Sequence, residues 1–332
     1  MFSKPLDILA IGDTTVDAFI ELKDARTSCS IKDDSCELCL RFADKVPYES
    51  VDVIAGVGNA ANAAVSNAKL GLRSGFLGVV GDDRNGEECI QAMKSQGVDT
   101  RYVTKERGNI TNYHYVLSFE AERTILIKHQ EYKYSIPKNL KVPKWLYLSS
   151  IGENSLSYHH EIAAYVAANP GIKLAFQPGT FQMKMGSAAL KDIYARTEIF
   201  FCNKEEAQRI LGSTSTDIGE LLESVRALGP KIVVITDGRK GLSASDGTVR
   251  YSLPIYPDRK SPVERTGAGD ACASTIVASL ALGNDLKTAL TWGPINSMAV
   301  VEQVGAQRGL LKRAELESLL KVAPSDYRIT TF

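Results

Sequence analysis

The sequence predicts an α/β protein: a doubly wound, mostly parallel sheet flanked by helices, with a small β-sheet lid projecting from it. Three observations carry this reading. Short unbroken apolar runs recur, segments with apolar residues at helical spacing lie between them, and two regions break the rhythm with polar alternation. The apolar runs DILAIG (7–12), SGFLGVVG (74–81), KWLYLSSIG (144–152), KLAFQPG (173–179), EIFFCN (198–203) and KIVVITDG (231–238) read as buried strands. Helices are expected in GNAANAAVSNAKLG, GEECIQAMKSQG, SYHHEIAAYVAANPG, KEEAQRILG, IGELLESVRALG and DACASTIVASLALG. Most of these end in glycine, which takes the left-handed conformation that closes a helix.

The exceptions are VDAFIEL (16–22), with the polar insert after it, and the stretch 102–129, which contains TNYHYVLSF and RTILIKH. Their alternation suits a half-exposed antiparallel sheet. The lid is therefore placed at approximately 14–54 and 100–130, inserted in a single domain spanning 1–332. An exposed lid sheet can pair with a second copy, so a homodimer through the lid is an open possibility.

Composition narrows the function classes. The 332 residues are 44% hydrophobic and 23% charged, with a formal net charge of zero. No overall basic field points to nucleic acid or an anionic membrane, which leaves a small molecule as the expected partner. The N-terminus lacks a signal peptide's apolar core, and ASTIVASLALG is too short to span a bilayer, so a cytoplasmic enzyme is expected. Cys29, Cys36 and Cys39 cluster, and Cys36-x-x-Cys39 could supply half of a zinc site. Without a second such pair, free thiols in a surface loop are the competing reading. Cys272 has no histidine nearby in sequence to act as its base and reads as core packing.

VERTGAGDACAST (263–275) places small residues before an aspartate at the mouth of a predicted helix. The first N–H groups of a helix lack internal partners and carry the positive end of its dipole. Around Gly267, Ala268 and Gly269 they would form an anion hole for a transferring phosphoryl group. Asp270 would then act on the attacking hydroxyl as general base instead of holding phosphate. The plainer alternative is a first-turn aspartate on an ordinary core helix.

TGAGDA with its apolar helix resembles the C-terminal signature of the PfkB family of carbohydrate kinases, the ribokinase-like fold, and the similarity extends along nearly the whole chain. GDTTVD is similar to the family's first strand, which implies that Asp17 grips acceptor hydroxyls. GNAANAAVSNAKLG resembles the N-terminal signature and puts Gly58, Asn59 and Asn62 at substrate-contacting positions. Asn203 and Glu206 fit the family's N-x-x-E motif, which implies Mg²⁺ organised largely through water. ITDGRKG places Thr236, Gly238 and Gly241 near ATP, and VGAQRGLL places Gly305 beside the adenine. Three departures stand out: Val57-Gly58 for Gly-Gly, Gln177-Pro178 for Asp-Pro, and Glu264-Arg265 for Asp-Thr. The last puts a monovalent cation site in doubt, and Arg265 is long and charged enough to reach nucleotide phosphates instead.

The acceptor implied is a sugar or a nucleoside. Two rivals come from other classes. Gly56-x-Gly58-x-x-Ala61 approximates a dinucleotide fingerprint and would make an NAD-binding oxidoreductase. A catalytically silent regulator would keep the fold and show a long exposed apolar surface, which the pattern does not suggest. Asn203 and Glu206 also match a capping box. Asp13 reads as a turn or solvent residue, and His159-His160 as helix surface. Arg123, Tyr113 and Tyr115 line either the acceptor pocket or the outer face of the lid.

Overall fold

The computed structural model describes residues 4–30, 35–120 and 122–332. Strand β1 (Ile8–Ile11) opens the main sheet, and the chain then leaves it through β2 (Thr15–Leu22), β3 (Arg26–Ser30), β4 (Ser35–Cys39) and β5 (Tyr48–Val57). It returns through α1 (Asn59–Lys69), β6 (Ser74–Gly81), α2 (Arg84–Ser95) and β7 (Asp99–Glu106), and leaves again as β8 (Tyr113–Phe119) and β9 (Glu122–Leu126). Next come β10 (Trp145–Leu148), α3 (Leu156–Ala168), β11 (Lys173–Phe176), α4 (Thr180–Ala189), α5 (Lys191–Arg196) and β12 (Thr197–Asn203). Helices α6 (Lys204–Leu211) and α7 (Ile218–Arg226) precede β13 (Ile232–Thr236), β14 (Leu242–Ser245) and β15 (Arg250–Leu253). Helices α8 (Ala268–Ala281), α9 (Leu286–Val300) and α10 (Arg313–Lys321) and the short β16 (Thr330–Thr331) finish the chain.

The main sheet has ten strands in the order β16-β15-β14-β13-β12-β11-β10-β1-β6-β7. Pairing is parallel from β7 to β13 and antiparallel from β13 outward. The central strands are buried on both faces, which is why they read as unbroken apolar runs. In β1, Ile8 and Ala10 point into the core beneath α1, α8 and α9, and Leu9 and Ile11 into the core beneath α3 and α7. Alanines on α1 let it lie close against α8, and that contact brings two distant parts of the sequence together.

The lid is a four-stranded sheet in the order β5-β2-β8-β9. It is mixed: β2 pairs antiparallel with β5 but parallel with β8. Residues 99–106, expected in the lid, belong to the main sheet as its edge strand β7, parallel to β6. An edge strand covered on one face alternates much as a lid strand does, so periodicity misplaced it. Strands β3 and β4 form a separate hairpin in which Cys29 and Cys36 are disulfide-bonded, which corrects the free-thiol reading for that pair. Among the described residues no cluster of three or more His, Cys, Asp or Glu has metal-holding geometry, and no helix is long and apolar enough to cross a membrane. The dinucleotide reading also fails here: the strand before Gly58 is β5, an antiparallel lid strand, not the first strand of a parallel βαβ unit.

Phe176 on β11 is fully buried, edge-on to Tyr194 at 5.5 Å and to Phe200 at 5.6 Å. Phe176→Ala should lower stability by roughly 3–5 kcal/mol through lost burial and the remaining cavity, read as a drop in the urea midpoint.

Candidate active site

The carboxyl ends of the parallel strands point toward the lid, and the crevice there is where open α/β sheets bind ligands. Helix α8 enters this crevice through a turn at Gly267, which has φ +81. A side chain at Gly267 would collide with Ala306, so backbone conformation and close approach both demand glycine. Glu264, buried, holds the turn by accepting from the Thr266 N–H at 2.6 Å and from the Gly305 N–H at 3.3 Å. The first i→i−4 bond into α8 runs from the Ala271 N–H to the Gly267 carbonyl at 2.8 Å. Ahead of it the Ala268 N–H donates to the Arg265 carbonyl at 3.4 Å, and the remaining donors form the open end of the helix, where Gly269 is exposed to the crevice.

Two cavities meet at this point. The larger, about 660 Å³, lies under the lid and contains Asp17, Gly58, Asn59, Asn62, Asn203, Glu206, Gly267 and Asp270 in its walls. The smaller, about 260 Å³, is lined by Gly241, Tyr256, Ala268, Pro294 and Met298 among others. They share Thr236, Gly238, Arg265, Gly269 and Cys272. The structure thus assembles almost every residue singled out in the sequence around one junction. Gly305 is an exception, buried next to Ile54 of the lid and lining neither cavity, and Tyr113 and Tyr115 of β8 line neither cavity as well.

Asp270 lies at the junction and is 8% exposed. Its Oδ1 accepts from Asn59 Nδ2 at 2.9 Å and from Gln177 Nε2 at 3.1 Å, and its Oδ2 accepts from Asn62 Nδ2 at 2.9 Å. Burial raises its proton affinity, while these three amide donors and the charge of Arg123 oppose that rise. Asn62 is itself held, because its Oδ1 accepts from Gln307 Nε2 at 2.9 Å and the same amide donates to the Gly56 carbonyl. Asn59 and Asn62, expected against the acceptor, therefore each place an amide N–H on Asp270.

Asn203 and Glu206 do form a capping box: the Glu206 N–H donates to Asn203 Oδ1 at 2.7 Å and the Asn203 N–H to Glu206 Oε2 at 2.8 Å. Burial, and to a smaller degree the charge of Asp270, pushes the Glu206 carboxyl above its ordinary range. Asp17, on the inner face of the lid, has His114 Nδ1 at 3.4 Å, while its Oδ1 and His114 Nε2 are buried without hydrogen-bond partners. Both residues face the larger cavity.

Two expectations are corrected. Asp13 is not a solvent residue: it is 4% exposed, accepting from Tyr134 Oη at 2.9 Å and pairing with His129 Nδ1 at 2.8 Å. His159 is fully buried on the inner face of α3, with Nδ1 2.8 Å from the Ser155 carbonyl, and burial lowers its proton affinity; only His160 is exposed. Cys272 is packed in the core, and burial pushes its thiol up to about 12.

A family model described as pfkB family carbohydrate kinase matches residues 34–313. The chain belongs to the pfkB family of carbohydrate kinases. Among curated relatives of this kinase, the ribokinase of Bacillus subtilis is 27% identical over 271 residues, covering 79% of this chain and 87% of that protein. A nucleoside kinase of Methanothermobacter thermautotrophicus is 25% identical over 318 residues, covering 93% of each chain. The solved ribokinase of Arabidopsis thaliana, complexed with ribose and ATP, superposes with a TM-score of 0.78 at 18% identity, covering 96% of this chain and 99% of that one. The fold is the ribokinase fold, and the protein is a sugar or nucleoside kinase of this family.

Other residues of the kinase site escaped the sequence reading. His114 and His129 sit within alternating lid sequence, and nothing local marks them as facing the cavity. Tyr147, on a wholly apolar strand, donates to Gln177 Oε1 at 2.5 Å, and Gln307 reaches Asn62 from 245 positions away. A Gly267→Ala variant should lose about 1–3 kcal/mol and most of its turnover, because the left-handed turn and the Ala306 contact both resist a methyl group. Melting temperature and ADP release check the two losses separately.

Proposed function

We propose that this kinase transfers the γ-phosphoryl group of ATP to a hydroxyl of a sugar or related small molecule, with Asp270 as general base. One observation carries the reading: a buried carboxylate at the floor of the lid cavity, next in sequence to the exposed helix-entry glycine that opens onto the second cavity. A carboxylate offers about four lone-pair positions. Two on Oδ1 and one on Oδ2 are filled by amides, so the acceptor hydroxyl bonds to Oδ2. As its oxygen attacks the γ-phosphorus, the bond from that phosphorus to ADP breaks and the hydroxyl proton passes to Asp270. The donors around Gly267, Ala268 and Gly269 stabilise the moving charge, and Asp17 and the Gly58 turn hold the rest of the acceptor.

The smaller cavity takes the nucleotide: Thr236, Gly238 and Gly241 border it on one side and the start of α8 on the other. Glu206 suits Mg²⁺ because it is a half-buried carboxylate on the cavity wall whose one described hydrogen bond is to the Asn203 N–H, and Asp270 is near enough to disfavour its charge. Asn203 and Glu206 would hold the ion through water. When bound, it would neutralise the phosphates.

Asp270→Asn should lower kcat by several orders of magnitude while nucleotide affinity stays within about twofold, since a base acts on the nucleophile and not on ATP. Steady-state kinetics and ATP titration read the two, and near-normal turnover would remove the assignment. A nucleoside acceptor is the second reading. Its support is the apolar end of the larger cavity, where Ile125, Ile127 and Met183 accompany Phe181, which packs edge-on to His129 at 5.1 Å. ADP release across sugars, sugar phosphates and nucleosides distinguishes the two.

The outer face of the lid supports the dimer. Register places Ala18, Val53, Tyr115 and Leu126 in one row and Ile20, Val51 and Leu117 in the next. Val51, Val53, Tyr115 and Leu126 are each about half exposed, at 50%, 52%, 47% and 52%. The sequence pattern did not suggest so continuous an apolar face, and a second copy of the same sheet is a self-complementary cover for it. Val53→Lys should convert a dimer to monomer in analytical ultracentrifugation; a wild-type protein that sediments as monomer would overturn this.

A further inference from the structure

We propose that Gln177 is a positioning residue that keeps Asp270 ionised and leaves its remaining Oδ2 lone pair turned to the acceptor. The inference rests on Asp270 being the base. Gln177 follows β11, where its N–H donates to the Leu148 carbonyl at 3.0 Å and its carbonyl accepts from Ser149 Oγ at 2.9 Å. The backbone is thus pinned to β10 and the residue after it. The side chain is pinned as well: Tyr147 Oη donates to Oε1, and Nε2 donates to Asp270 Oδ1.

An amide can turn over and exchange its two ends. Here it cannot do so without cost. Tyr147 is fully buried, and burial together with the charge of Asp270 keeps its phenol protonated. The hydroxyl proton goes to Oε1, so Nε2 is the end left facing the carboxylate, which only accepts. Gln177 and Asn62 are therefore the two locked donors to Asp270, the first by Tyr147 and the second by Gln307.

The choice of amide at this position has an electrostatic consequence. A carboxylate side chain at 177 would remove a donor and add a like charge, and both changes favour the protonated, inactive form of the base. Other charged or titratable groups on the same cavity are Asp17 on β2, His114 on β8, Arg123 on β9, His129, Cys202 on β12, Glu205 and Glu206 on α6, Asp237 after β13, Arg265 on the turn, and Cys272 on α8; burial keeps both thiols protonated. All of these stay in place when residue 177 is changed, so comparing variants with wild type isolates the amide.

The experiment measures kcat/KM against pH, with the best acceptor from the panel above, for wild type, Gln177→Leu, Gln177→Glu and Tyr147→Phe. Activity rises with pH as the base ionises. A weaker hold on the carboxylate moves that limb to higher pH. Gln177→Leu should move it by about one unit, a tenfold loss on the slope of the limb. Gln177→Glu should move it further, and Tyr147→Phe, which frees the amide without touching Asp270, should move it less in the same direction. A ¹³C NMR titration of the Asp270 carboxyl, assigned by its loss in Asp270→Asn, should show the same order without any turnover. If the limbs and titrations coincide with wild type, or if kcat falls equally at every pH, Gln177 only packs and the inference is wrong. Should Gln177→Leu fail to fold, Gln177→Glu and Tyr147→Phe decide. Normal turnover by Asp270→Asn would instead remove the base assignment, while the ¹³C titration would still report whether Gln177 lowers the proton affinity of that carboxyl.

Discussion

The structure is organised around one costly object, a carboxylate buried at the mouth of α8. Moving an ion out of water costs several kcal/mol even after relaxation. An ion pair is not the main compensation here: three amides bond the carboxylate directly, and Arg123 acts on it only through its charge. Neutral donors can be placed beside a carboxylate that must accept a proton without holding it as a fixed cation would. Those donors come from α1 and from the end of β11, so the Asp270 carboxylate is held only when α1 lies against α8 and β11 is in its place in the sheet. The small residues of both helices, and the strand order that brings β11 near α8, are requirements of that arrangement.

The lid divides its labour by strand parity. On β2, β8 and β9 the residues facing inward include Asp17, His114, Arg123 and Ile125, and the cavity is walled by them. The alternate positions face out and are mostly apolar, with Thr124 and Glu122 on β9 the polar members, and so apolar a face is more than a lid working alone in water would need. Arg123 links the lid to the helix mouth, with its Nε 3.5 Å from Glu264 Oε1, the carboxylate that clasps the Thr266 and Gly305 turns. The oxygens of Glu264 are thus engaged by backbone donors and by this arginine.

Buried parallel strands were legible because both their faces are apolar, and the glycine-aspartate turn because its residue types serve one kind of chemistry. What was not legible has physical reasons too. Strand β7 alternates because a sheet edge is half covered. Helix α9 carries Pro294 in its interior, which sequence rules treat as a helix break. His159 looked like surface because a polar side chain on a helix usually is, yet the Ser155 carbonyl and Gln182 give it partners inside. Asp13 is buried for the same reason, with Tyr134 and His129 supplied from beyond the lid strands. The pairing of Cys29 with Cys36 follows from the β3–β4 register, which places them directly opposite one another. Contacts between residues far apart in the chain, such as Gln307 with Asn62, leave no trace in local pattern.

Asp270, buried, and Glu206, half-buried, are two carboxylates facing one cavity, and their surroundings differ. Burial raises the proton affinity of both. Asp270 is answered by three side-chain donors, whereas Glu206 is answered chiefly by the Asn203 N–H and, more weakly, by the charge of Arg209. Like charges in one enclosure cannot both be left to solvent that is largely excluded. The well-donated carboxylate can remain ionised in an empty site and take a proton only when the alcohol gives it up. The poorly donated one stays anionic most easily when positive charge arrives with the nucleotide. A difference in hydrogen-bond supply between the two side chains therefore suits one to the proposed role of base and the other to the proposed role of answering the cation.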